Sequence, residues 1–106
     1  MLPLEHLQKS NTTENIWLYI LTILRKSPLH AWNLQTLIES EFGFKPGRIT
    51  PYRVLYRLEI EGLVKSEEKE RKRIYHITLK GEKELNGAIL LYENILKKMK
   101  KSERNG

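Results

Sequence analysis

Four cations lie on one acid-free stretch: Lys45, Arg48, Arg53 and Arg57 fall between Phe42 and Leu58, where no Asp or Glu occurs. Their chemistry is anion recognition. An arginine fork can grip a phosphate or a guanine edge through two parallel hydrogen bonds. Thr50 and Pro51 precede the last two arginines, and Gly62 follows them. Thr50 suits a helix N-cap, Pro51 the first helical position, and Gly62 the position just past the end. The pattern predicts a helix between these marks. At about 100° per residue, Pro51, Leu55 and Leu58 share one face, while Thr50, Arg53, Tyr56 and Arg57 share the other. A helix N-terminus carries about half a positive charge, so added arginines favour an anion docking there. The competing reading is an ordinary solvated basic face.

No second kind of chemistry competes with this one. His6, His30 and His76 fall on three separate elements. Glu67, Glu68 and Glu70 crowd what reads as a hairpin tip, a poor place to desolvate an acid. No Gly-rich phosphate loop or metal-ligand spacing occurs. The absence of cysteine excludes disulfides, thiolate metal sites and a cysteine nucleophile. An enzyme, a cofactor and a metal site are therefore not expected.

A length of 106 residues suits one domain with a modest core, and a 40% hydrophobic content favours folding over disorder. The net charge of +6 and the isoelectric point near 9.6 make nucleic acid the leading partner class. No apolar run reaches the roughly 18 residues that span a bilayer. Met1 to His6 lacks a basic region followed by an apolar one, so no secretory signal and no membrane partner are expected. The expected location is cytoplasmic, at the nucleoid.

The basic helix needs elements around it. Residues 1–11 read as a flexible N-terminal arm, with Asn11 or Thr12 able to cap the helix after it. Ile16 to Leu24 is apolar at every position but Thr22. A helix apolar all round is covered all round, either by a second subunit or by its own chain. Ser27 and Pro28 end it. A second helix spans Ala31 to Phe42, with Leu34, Leu37, Ile38 and Phe42 on its apolar side and Gly43 at its end. Trp32, near its start, reads as a core or edge aromatic. After Gly62, residues 63–67 and 71–78 read as two strands joined by a turn at 68–70. The charges on this hairpin either discourage edge pairing or reach a phosphate backbone. Thr78 can cap a last helix over 79–101. There Leu85, Ala88, Tyr92, Ile95 and Met99 form a heptad seam widened by Ile89 and Leu96. Gly81 and Gly87 weaken that helix by about 1 kcal/mol each against alanine. Residues 102–106 read as a disordered tail.

The fold expected is mostly α with a small β-hairpin: a winged helix-turn-helix of order α-α-α-β-β-α over residues 12–78, then a C-terminal dimerisation helix over 79–101. In that arrangement the third helix enters the major groove and the hairpin flanks the backbone.

The chain also resembles a family at this point. Leu55 to Val64 is similar to the Leu-x-x-Leu-Glu-x-x-Gly-Leu stretch of PadR-type transcriptional regulators, with Tyr52 matching their recognition-helix tyrosine. Lys72 to Gly81 resembles their Arg-Lys-Tyr-Tyr-x-Leu-Thr-x-x-Gly wing signature. Ser27 to Trp32 is similar to their Gly-Pro-Leu-His-Gly-Tyr turn. Ile49-Thr50-Pro51 replaces their usual Gly-Thr-Leu, and Ala31-Trp32 replaces Gly-Tyr. The resemblance implies a homodimer joined through its first and last helices, repressing at a palindromic operator.

The site expected comes from charge and topology together. Arg53, Arg57, Thr50 and Tyr56 face base edges in double-stranded DNA. Lys45, Arg48, Lys69, Arg71, Lys72 and Arg73 bind phosphates, and Tyr52 serves either packing or a phosphate. The dimer interface is expected at Ile16, Trp17, Ile20, Leu85, Ala88, Ile89, Tyr92, Ile95, Leu96 and Met99. A small-molecule effector pocket lined by Trp17, Tyr92 or Trp32 is open but not indicated. Two rival functions keep the fold: an architectural nucleic-acid binder without sequence preference, and a protein-interaction module.

Overall fold

The apolar run becomes the axis of the molecule. It forms α2 (Ile16–Lys26), which packs against four other elements. Ile16, Leu18, Ile20, Leu21, Ile23 and Leu24 are all buried, Ile20 and Leu21 completely. The chain itself is the cover. Ile16 and Ile20, expected at a subunit interface, are instead core residues, and so is Leu85.

The computed structural model describes residues 1–105, with side chains described through Ser102. Around α2 stand α1 (Pro3–Ser10), β1 (Leu29–His30), a 3₁₀ turn at Ala31–Asn33, α3 (Leu34–Phe42), α4 (Thr50–Ile60), β2 (Val64–Lys69), β3 (Lys72–Ile77) and α5 (Leu79–Asn105). The partners of α2 are α3, α4, α5 and β3. The order α2-α3-α4-β2-β3-α5 is that of a winged helix-turn-helix.

Residues 3–10, expected to be a loose arm, form α1. Pro3 stands in its first turn with Glu5, and Lys9 stands in its last, each favoured there by helix geometry or dipole. Asn11 closes α1 from its C-terminal side, its Nδ2 donating to the Leu7 carbonyl at 2.8 Å, and does not cap α2. The residue preceding α2 is Asn15. No residue of α1 is buried. Two tyrosines attach it instead: the Tyr19 hydroxyl donates to the Asn11 carbonyl, and the Tyr92 hydroxyl to Asn11 Oδ1 at 2.6 Å.

The Tyr19 ring is wedged edge-on against Phe42 and Phe44, with centroids 4.7 and 5.0 Å away. Burial, and then Tyr92, push its phenol above the usual 10.0. Tyr75 is raised in the same direction, by burial and then Glu59. A folded-state pKa above the unfolded one gives stability that is complete below pH 10 and lost as pH rises through the folded value. Melting curves should therefore decline on the alkaline side of pH 10. Tyr19→Phe should lessen that decline and cost about 1 kcal/mol at pH 7 through the lost hydrogen bond. A decline of equal steepness in the variant would assign it elsewhere.

β3 is the middle strand of a three-stranded antiparallel sheet of order β1-β3-β2. Leu29 pairs with Tyr75 and His30 with Ile74, so the connection between α2 and α3 is stitched to the hairpin. The hairpin turns at Glu70 and Arg71, later than the 68–70 expected. Both have positive φ, 52° and 67°, and Lys69 pairs with Lys72 across them. Two consecutive left-handed residues match the twist of the strands, although glycine or asparagine usually fills such a turn.

α5 has 27 residues and runs unbroken through Asn86 and Gly87. Asn86 Oδ1 accepts from Arg25 Nη1 at 3.2 Å, which ties that point to α2. Thr78 caps it as expected, its Oγ1 accepting from the Gly81 N–H at 3.0 Å. The heptad seam divides in two. Leu85, Ala88 and Ile89 lie on the chain's own core, whereas Ile95, Leu96 and Met99 are exposed, with Leu90 and Leu91 bare beside them. The tail set apart at 102–106 continues this helix to Asn105; Gly106 lies outside the described residues.

Candidate nucleic-acid interface

α4 is positioned by its own apolar stripe. Pro51, Leu55 and Leu58 are buried against the core, which turns Arg53, Tyr56 and Arg57 outward. Its end is closed by paired hydrogen bonds: Leu63 N–H donates to the Leu58 carbonyl at 2.9 Å and Gly62 N–H to that of Glu59 at 3.1 Å. Gly62 has φ of 79°, as this left-handed closure requires, and Leu58 meets Leu63 beneath it. The same turn aims the chain into β2.

The start of α4 differs from expectation. Ile49 occupies the cap position, and Thr50 is the first helical residue. Thr50 is half-buried, and its Oγ1 lies close against Gly47. Of the four residues expected at base edges, Thr50 is thus the one turned away from the outer stripe. The preceding loop is pinned by Gln35, whose Nε2 donates to the Pro46 carbonyl at 2.9 Å, and by Pro46 itself, fully buried. Lys45 and Arg48 are left exposed on that loop.

Arg57 sits one turn beyond Arg53. Its Nε is 3.9 Å from Glu61 Oε1, with both side chains well exposed, a contact weak enough for another anion to replace. In the hairpin, Lys69, Arg71 and Lys72 are exposed around the turn. Arg73 is held in place. Its Nη1 donates to Ser66 Oγ at 2.9 Å, and Ser66 Oγ donates to Glu59 Oε2 of α4 at 2.6 Å. A short polar relay therefore links the hairpin to the helix beside it.

The two cationic groups meet at Tyr52. It lines a cleft with Arg48, and it lines another with Lys72 and Arg73. Trp32 lines both, and it is 64% exposed, not a core aromatic. Sequence spacing carries a signal for this. Trp32 lies two residues before Leu34, about 200° away from the apolar stripe of α3. Ile49 and Ile60 are exposed as well, at 62% and 68%.

The three aromatics considered for an effector pocket do not converge. Trp17 faces a cavity of about 390 Å³ shared with Arg57, Glu61 and Glu84, Tyr92 lines a smaller one with Leu85, and Trp32 stands at the α4–hairpin notch. Among the described residues there is no cluster of potential metal ligands, and no helix is long and apolar enough to cross a membrane.

Comparison with known proteins agrees with this fold. No curated protein sequence matches. A PadR family regulator from Clostridium difficile R20291 has 23% identity over 81% of this chain and 95% of its own, with a TM-score of 0.73. A Thermoplasma acidophilum protein has 30% identity over 82% of this chain and 91% of its own, with a TM-score of 0.65. Bacillus subtilis PadR has 22% identity over 74% of this chain and 48% of its own, with a TM-score of 0.66. The model of the PadR-like transcriptional regulator family matches residues 20–87, a span that runs from α2 into the first part of α5. The chain belongs to the PadR-like family of transcriptional regulators.

Proposed function

We propose that this regulator binds double-stranded DNA as a homodimer, with α4 in the major groove and the β2–β3 hairpin on the flanking backbone, and that it represses from a palindromic operator. As a family member it is a transcription factor rather than an enzyme. The observation that carries the DNA reading is the meeting of the Arg48 loop, α4 and the hairpin cations around Tyr52. Charge on one surface suits a polyanion, and α4 has the outward stripe a groove-reading helix needs. The similar Bacillus subtilis PadR was solved in complex with operator DNA, which supports DNA as the partner here.

In this reading Arg53 and Arg57 contact base edges, with Tyr56 between them. Lys45, Arg48, Tyr52, Lys69, Arg71, Lys72 and Arg73 contact phosphates and set the register. The dimer reading rests on the bare part of α5, at Ile95, Leu96 and Met99, together with the exposed Leu4 and Leu7 of α1. Two copies would set their α4 helices roughly 34–36 Å apart, one turn of duplex.

Selection of bound duplexes from a random pool tests the proposal. A site with two-fold symmetry is expected; recovery of random sequence, or of a lone half-site, would count against it. On the selected site, Arg53→Ala should relax preference at one position by about 1–3 kcal/mol. Lys72→Ala should weaken all sequences alike and flatten the salt slope by about one.

A further inference from the structure

Trp32 is 64% exposed, which places a large aromatic surface in water. The Trp17 indole donates to Asn15 Oδ1; the Trp32 indole has no such partner among the described residues. The ring stands between two shallow clefts. The one of about 290 Å³ holds Arg48, and the one of about 320 Å³ holds Lys72 and Arg73. Tyr52 is common to both. Cation, aromatic, cation is the sequence of chemistry met along this surface. One nucleic-acid strand presents its complement: an anionic phosphate, an apolar deoxyribose face, and a second phosphate.

We propose that Trp32 is a DNA-contacting residue that divides two successive phosphates of one strand, its ring laid against the sugar between them. One phosphate occupies the Arg48 cleft and the next the Lys72–Arg73 cleft. Tyr75 lines the second cleft, and its phenol, protonated at neutral pH as any tyrosine is, can donate there. The inference rests on the DNA reading above and gives it a register: the strand is gripped where the 3₁₀ turn, α4 and the hairpin converge. An exposed tryptophan at a contact surface commonly carries a large share of binding energy.

The test compares wild type, Trp32→Ala and Trp32→Phe on the selected duplex across a range of salt. Trp32→Ala should lose about tenfold in affinity, and Trp32→Phe should regain most of it. The salt slope and the melting temperature of the free protein should stay at their wild-type values, because neither a charge nor a buried side chain is removed. In a Trp17→Phe background, acrylamide quenching of Trp32 should fall when duplex is added. Ethylation interference should mark two adjacent phosphates whose signal weakens together in Trp32→Ala. Unchanged affinity, Trp32 as accessible on DNA as off it, or a lowered melting temperature would each overturn the role of Trp32 while leaving the DNA reading intact. Failure of wild-type protein to bind any duplex at low salt would instead remove the DNA reading itself.

Discussion

Gly81→Ala should lower the melting temperature by roughly 10–20 °C, a net loss of about 2–3 kcal/mol. Alanine is the better helix former, so propensity alone predicts a gain of about 1 kcal/mol. Packing reverses the sign. A Cβ at Gly81 would stand 2.2 Å from the Leu63 carbonyl oxygen and 2.9 Å from a side-chain carbon of Ile77. The first is backbone and cannot swing aside. It also accepts the Thr78 N–H at 3.1 Å, the bond that draws the two ends of the hairpin together. Relief of the overlap would move α5 off the sheet or open that bond. Gly87, on the same helix, is the internal control: a Cβ there meets nothing within 4 Å. Gly87→Ala should be neutral or stabilising by up to about 1 kcal/mol. Differential scanning calorimetry of both variants decides the matter, and equal effects at the two sites would refute the packing argument.

On the proposed homodimer and two-fold operator, Ile95→Asp should yield a folded monomer and weaken operator binding by about 10²–10⁴, the loss expected when two linked half-sites become one. Ile95 is 43% exposed and lies on the half of the seam beyond the core, so its replacement leaves the buried cluster untouched. An aspartate in an apolar two-fold contact would be buried once in each copy, and an uncompensated buried charge opposes association strongly. Sedimentation velocity gives the assembly state, and binding to full and half operators gives the linkage. A variant that stays dimeric would move the interface off this face. One that is monomeric yet binds the full operator like wild type would remove the dimer from the mechanism.

Local marks in the sequence were reliable where one residue type suits one backbone state. Gly43 and Gly62 both take φ of 79°, and Thr78 caps α5. The spacing of Pro51, Leu55 and Leu58 predicts the buried stripe of α4 and hence the outward turn of Arg53 and Tyr56. Periodicity was ambiguous where it could not say what provides the cover. The seam of α5 is continuous in sequence, yet Leu85 belongs to the core while Ile95 is bare. The apolar girdle of α2 likewise fits a partner or a wrapped chain equally well, and Ile16 and Ile20 proved to be wrapped.

Long-range and irregular features were least legible. β1 is two residues long, and its partners Tyr75 and Ile74 lie far along the chain, so no local pattern announces it. The hairpin turn carries Glu70 and Arg71 where Gly or Asn would have marked it. α1 is eight residues long, so its apolar spacing at Leu4 and Leu7 spans too few turns to separate it from a loose arm. Thr50 had the right type for a cap but sits one position inside the helix, because the loop before it is fixed by Pro46 and Gln35.

The pairing of β1 with β3 has a mechanical meaning. It closes the path from α2 through α3, α4 and β2 back onto the segment just after α2, so the Arg48 loop and the hairpin are attached to one frame. A hairpin on a free hinge could follow any backbone it met. A hairpin stitched into a closed frame works as a caliper, with the gap between its jaws set before DNA arrives. In the proposed binding mode such a device would measure groove width and strand curvature as well as base edges. Duplexes that hold their backbone at that gap without bending would bind at lower deformation cost, and sequence would then matter at steps no side chain touches.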